Sequence, residues 1–100
     1  MRPVLPLDVA AAARALLALP DAERNVVCQR MLAQADAADR YVRRTRKLHP
    51  HWGNGTLLAA ARQWPLAGEK SFDDRGYRDC TMMVLRHLDQ RAGQISCKPA

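Results

Sequence analysis

Apolar residues recur along this chain at helical spacing, interrupted by short clusters of Pro, Gly and capping residues. In "PLDVAAAARALLALP", Asp8 is an N-cap candidate, and Val9, Ala13, Leu16 and Leu17 lie at intervals that suit one face of a helix. Pro20 ends that helix and can open the next one. A second helix is expected from Asp21 to Lys47, with Val27, Met31, Ala35, Ala38, Val42 and Thr45 forming a core stripe about 80° wide. Asp21 and Glu23 in its first turn and Arg43, Arg44, Arg46 and Lys47 at its end both complement the helix dipole. Pro50 stops it, because the residue before a proline is driven out of the α region.

"NGTLLAAARQW" then predicts a short helix that starts at Asn54 and ends before Pro65. A polar loop leads to a last helix that begins near Asp73 or Asp74. Its buried side should carry Tyr77, Cys80, Thr81, Val84, Leu85 and Leu88. Gly93 is the expected end, so residues 1–92 read as one helical domain and 93–100 as a flexible C-terminal tail. The fold class is all-α, a single small domain of about four helices, the second and fourth being the longest.

Composition supports this class. Seventeen Ala and twelve Leu stand against six Val and one Ile, and Ala and Leu lose little rotamer freedom in a helix, whereas strands favour β-branched side chains. Near the N-terminus, Asp8 and Arg14 interrupt the apolar run. No segment offers the roughly 18 to 20 uncharged residues that a membrane span needs, so a soluble, cytoplasmic protein without membrane contact is expected. Three widely spaced cysteines, Cys28, Cys80 and Cys97, do not form a disulfide framework and suit a reducing compartment.

Charge locates the candidate chemistry. The net charge is +6, and residues 36–47 contribute five positive and two negative side chains to it. On a helical wheel Arg40, Arg43, Arg44 and Lys47 fall within about 100°, opposite the core stripe. Such a face can bind phosphate or an acidic protein. Charge runs are more often a solvated face, in which Asp36 pairs with Arg40 and Asp39 with Arg43 at i, i+4. The basic residues precede the corner and only Arg62 follows it within the next helix, which argues against a helix-turn-helix that reads bases.

The corner itself, "HPHWGNGTL", brings His49, His51 and Trp52 together with Gly53 and Gly55. Trp52 reads as a plug of the helix junction rimmed by the histidines, or as an exposed anchor beside the arginines. His49-x-His51 is the only close pair of metal-ligand type, so no metal and no cofactor is expected. No nucleophile–base–orienter constellation and no phosphate loop is visible, so no enzyme activity is expected.

"HPHWGNGTLLAAA", preceded by "DAADRYVRRT" and followed by "FDD" ahead of a final helix, resembles a small uncharacterised helical family of alphaproteobacterial proteins. The opening "RPVLPLDVAAAARALL" is similar to the start of that family, and the resemblance extends to about Leu88. It is carried most specifically by His49, Pro50, Trp52, Gly53, Leu57, Asp73 and Asp74. Some members are linked to phage-like gene transfer agents, which implies a role in expression or maturation of those particles. The family supplies no assigned activity and no functional residues to carry over.

The expectation is therefore a non-enzymatic accessory or regulatory protein that acts by binding through Arg40, Arg43, Arg44, Lys47, His49, His51 and Trp52. A protein partner in transcription or particle assembly comes first, with nucleic-acid backbone contact left open. A direct DNA- or RNA-binding protein and an oligomeric structural component of a particle are the alternatives, and the sequence does not fix the oligomeric state.

Overall fold

The computed structural model describes the chain from Met1 to Ser96. Among these residues there are four helices and no strand: α1 (Pro6–Leu17), α2 (Asp21–Thr45), α3 (Leu57–Ala61) and α4 (Arg75–Ser96). The all-α class and the two long helices agree with the sequence pattern. α1 packs against all three other helices, and α3 lies on both α1 and α2.

The inner face of α1 is built from Ala11, Ala12, Ala13, Ala15 and Leu16, all buried. Alanine has no side chain beyond Cβ, so neighbouring helices can approach it closely without voids. They fill the space with Val27, Cys28, Met31 and Leu32 of α2, Leu57 and Ala61 of α3, and Tyr77, Cys80 and Val84 of α4. Trp64, on the loop after α3, packs on the same core.

Asp8 is the main correction at the N-terminus. Leu5 is the N-cap of α1, and Asp8 is the third helical residue, only 5% exposed. Its carboxylate reaches back to accept the Leu5 N–H at 2.8 Å and reaches across to accept the Leu58 N–H at 2.9 Å. One side chain thus satisfies orphan amides at the start of two helices, where negative charge is also favoured by both dipoles.

The polar groups at the other end of α1 are paired as well. The Arg24 guanidinium donates to the carbonyls of Leu16 at 2.9 Å and Leu19 at 3.1 Å, and pairs with Asp21. Arg14 Nε donates to the Ala67 carbonyl at 2.7 Å, and the Ala67 N–H donates back to the Arg14 carbonyl at 3.1 Å. That two-way clamp holds the long loop against the bundle.

Several boundaries differ from expectation. α2 stops at Thr45, before Pro50 acts, because Arg46 adopts a left-handed conformation (φ 62°) and its N–H donates to the Val42 carbonyl. α3 starts after Thr56, whose hydroxyl accepts the Ala59 N–H at 3.1 Å, while Asn54 accepts from both the Thr56 N–H and the Thr56 hydroxyl. Asn54 thus braces the cap instead of opening the helix. Asp74 accepts the Tyr77 N–H at 2.9 Å at the head of α4, as a capping aspartate should.

On α4, Leu85 is 50% exposed, although it was expected in the core stripe, and His87 is buried in its stead. His87 Nε2 lies 2.7 Å from Asn25 Oδ1 on α2, so a polar pair occupies a core-facing position. α4 also continues through Gly93 to Ser96. A glycine costs a helix interior about 1 kcal/mol and ends it only when it leaves helical geometry. The last four residues of the expected tail, Cys97 among them, lie outside the described residues.

Asp8 generates the first prediction. Asp8→Ala leaves two amides without their acceptor and should lower unfolding free energy by about 2–3 kcal/mol in urea denaturation. Asp8→Asn keeps one acceptor oxygen and should cost less.

Candidate basic interface

The C-terminal end of α2 carries Arg40, Arg43 and Arg44, all exposed, followed by the exposed Arg46 and Lys47 beyond the helix. Since α2 ends at Thr45, Lys47 leaves the helical wheel on which the sequence pattern placed it. The pattern of ion pairs also departs from the solvated-face alternative. Arg43 does pair with Asp39, at 3.0 Å. Asp36, however, turns away from Arg40: it holds the Met1 ammonium at 2.7 Å and the Arg91 guanidinium of α4. The Met1 ammonium lies 3.2 Å from the buried Asp39 as well. Among the described residues Arg40, Arg44, Arg46 and Lys47 have no ion-pair partner.

Burial raises the pKa of Asp36, but hydrogen bonds and charge from Arg91 and the Met1 ammonium outweigh it and hold the carboxyl below its ordinary value of 3.8. A folded-state pKa below the unfolded one stabilises the fold above the unfolded value, and this stability is lost as pH falls through the folded value. Acid titration of stability should therefore fall below about pH 4 in the wild type, and the Asp36→Asn variant should lack that component of the fall.

The corner folds into a closed loop. The His49 N–H donates to the Gly53 carbonyl at 2.9 Å and the Gly53 N–H returns to the His49 carbonyl at 3.2 Å. Inside this ring His49 Nδ1 accepts the N–H groups of His51 and Trp52, each at 3.1 Å. The His49 ring stacks on Trp52, with centroids 4.5 Å apart and planes within 5°, and meets Tyr41 of α2 edge-on at 5.0 Å. Trp52 is half-buried, and its stacking partner is His49; the indole packed on the main core is that of Trp64. His49 is thus an internal strut of the loop, whereas His51 is an exposed rim residue.

Two glycines position this loop. Gly53 (φ 78°) and Gly55 (φ 92°) occupy the left-handed region. A Cβ on Gly55 would lie 2.7 Å from Asp39 Cα on α2, so the corner packs on the helix backbone at that point. The Gly55 carbonyl also accepts the Arg2 N–H at 2.9 Å.

Tyr41 and Leu48 belong to this region without any signal in the sequence pattern, and Arg46 reads there only as a complement to the helix dipole. The reversal at Arg46 brings Tyr41 to His49, a contact that no helical spacing announces. Leu48 is 66% exposed among the charged residues. The other metal-ligand types do not converge. His87 pairs with Asn25, and Cys28 and Cys80 are buried in the core. Burial, reinforced by the neighbouring Cys80, pushes the Cys28 thiol up to about 12, and burial raises Cys80 too. Such thiols are protonated at neutral pH and are poor nucleophiles. Among the described residues no three His, Cys, Asp or Glu side chains are grouped for a metal, and no helix is long and apolar enough to cross a membrane.

Fold and site together define a small all-α domain with a basic, aromatic-braced corner. Residues 2–88 match the family model described as Domain of unknown function (DUF7742), and the chain belongs to that family. No curated protein and no solved structure matches the chain.

Gly55 supplies the third prediction. Gly55→Ala combines an unfavourable φ with a clash against the α2 backbone and should cost about 2 kcal/mol or more in thermal or urea unfolding.

Proposed function

We propose that this protein is a non-enzymatic accessory protein that acts in the cytoplasm by binding an acidic partner protein through the C-terminal end of α2 and the adjoining corner. The observation that carries this reading is the diversion of Asp36 into the fold. Its carboxylate pairs with Met1 and Arg91, so among the described residues Arg40 keeps its charge without an ion-pair partner, as do Arg44, Arg46 and Lys47. Clustered cations raise the encounter rate with an acidic surface, and an arginine fork can chelate a carboxylate once docked. Leu48 and the edge of Trp52 add apolar contact at the same place, the composition expected of an interface core. A role in expression or maturation of phage-like gene transfer agent particles, by contact with transcription or assembly machinery, follows from the family resemblance.

A second reading has an observation of its own. The stacked His49 and Trp52 rings beside arginines have the makings of a nucleic-acid site, since bases stack on aromatic faces while cations follow the phosphates.

Charge reversal at Arg40, Arg44 and Lys47 avoids the Asp39–Arg43 pair and should leave helicity unchanged. Crosslinked partners recovered from the native host should disappear with this triple variant. If the same partners remain at wild-type yield, the basic-end reading is wrong. Fluorescence anisotropy with labelled duplex and single-stranded DNA separates the second reading, which requires affinity that falls steeply with salt.

A further inference from the structure

α4 has two stripes. Tyr77, Cys80, Val84 and His87 face the core at 3-4-3 spacing and are buried. Arg78, Met82, Leu85 and Asp89 follow at 4-3-4 spacing, and all four are exposed. At 100° per residue the second stripe falls within a sector of about 60°, pointing roughly 150° away from the first. Met82 and Leu85 at its centre are 47% and 50% exposed. Leu85 stands between two hollows. One, of about 430 Å³, lies between α4 and the start of α1, with Val4, Leu5, Phe72 and Tyr77 in its walls. The other, of about 320 Å³, is bounded by Met82, Arg86 and Asp89. A residue with a hollow on each side is the arrangement that receives knobs from a facing helix.

We infer that this stripe is a homodimer interface in which α4 pairs antiparallel with α4 of a second copy about a two-fold axis between Met82 and Leu85. The charge pattern selects that occupant. In an antiparallel pair centred there, Met82 faces Leu85 of the second copy, and Arg78 faces Asp89 of the second copy. The two-fold repeats both contacts, so the four-residue stripe is complementary to itself. An isologous interface requires this property, and an arbitrary helix does not have it.

The flanks agree. A two-fold of this kind places each flank against its own copy. On the charged flank Asp79, held only loosely by Arg75 at 3.9 Å, comes within two residues, about 3 Å along the axis, of the level of Arg86 of the second copy. On the other flank the apolar hollow with Leu5 and Phe72, 64% and 60% exposed, meets the same hollow. The net charge of this face is small, because Arg75, Arg78 and Arg86 stand against Asp79 and Asp89 and leave +1 per copy. The excess positive charge of the chain includes that of residues 36–47, at the end of α2 and just beyond it.

Light scattering and sedimentation equilibrium on the full chain test the inference. The wild type should show twice the monomer mass of 11.2 kDa at tens of micromolar. Leu85→Glu should weaken association at least tenfold with unchanged circular dichroism. Arg78→Glu and Asp89→Arg should each be monomeric alone, because each puts like charges opposite one another. Mixed in equal amounts they should form a heterodimer, since every facing pair is then of opposite sign, and the double variant Arg78→Glu/Asp89→Arg should dimerise again. A wild type that stays at 11.2 kDa over that range overturns the inference. So does a dimer indifferent to Leu85→Glu, or a mixture that fails to associate.

Discussion

The buried carboxylate of Asp8 ties the start of α1 to the start of α3, and much of the remaining geometry is referred to that tie. A charge that is 5% exposed is tolerable only with full hydrogen bonding, and here the donors are backbone amides of two helix N-termini. Fixing Leu58 fixes α3. The cap of α3 is Thr56, itself held by Asn54, and between them Gly55 rests on the backbone of Asp39 in α2. The corner therefore reaches the basic end of α2 through a short series of backbone contacts. Five residues of α3 could not set this geometry alone, because a helix that short has no independent stability.

The same economy of polar groups accounts for the surface charge. An i, i+4 carboxylate on an exposed helix normally compensates an arginine for a few tenths of a kcal/mol. Asp36 instead faces inward, where the Met1 ammonium and Arg91 hold it in a less hydrated setting, while Asp39 keeps its i, i+4 pair with Arg43 and lies near Met1 as well. Partly buried pairs are screened less than exposed ones, so the inward partners win. The cations left outside are then a by-product of how the interior is neutralised, and their one-sidedness follows from it.

Much of this fold was legible from periodicity. Four helices, the stripe Val27, Met31, Ala35 and Ala38, and the Asp74 cap all follow from spacing and side-chain chemistry within one element. What escaped depends on contacts distant in sequence. Asp8 has the composition of an N-cap, and only the presence of Leu58 fifty residues away explains its value as a bridge. Leu85 and His87 exchange roles because Asn25 offers His87 a partner, which no pattern within α4 could reveal. At the candidate site the arginines were evident from the sequence, whereas the pairing that leaves Arg40 uncompensated needed Arg91. In the sequence Trp52 reads as a plug or as an anchor; in the fold it is half-buried against His49, a geometry created by the left-handed turn at Arg46.

The alanine content links the interior to the outer face of α4. Where α1 offers mainly methyl groups, its neighbours close in and the space between helices holds few large side chains. A chain of 100 residues also has limited interior to distribute. Leu16, Met31, Leu57 and Val84 fill it, and other apolar residues such as Leu5, Phe72, Met82 and Leu85 remain outside. Burial of a side chain of this size is worth about 1.5–3 kcal/mol, an appreciable fraction of a small domain's total stability. Within one copy these side chains stay largely exposed. Association is the remaining route to that free energy, and the alternation of charge along α4 decides which surface can supply it.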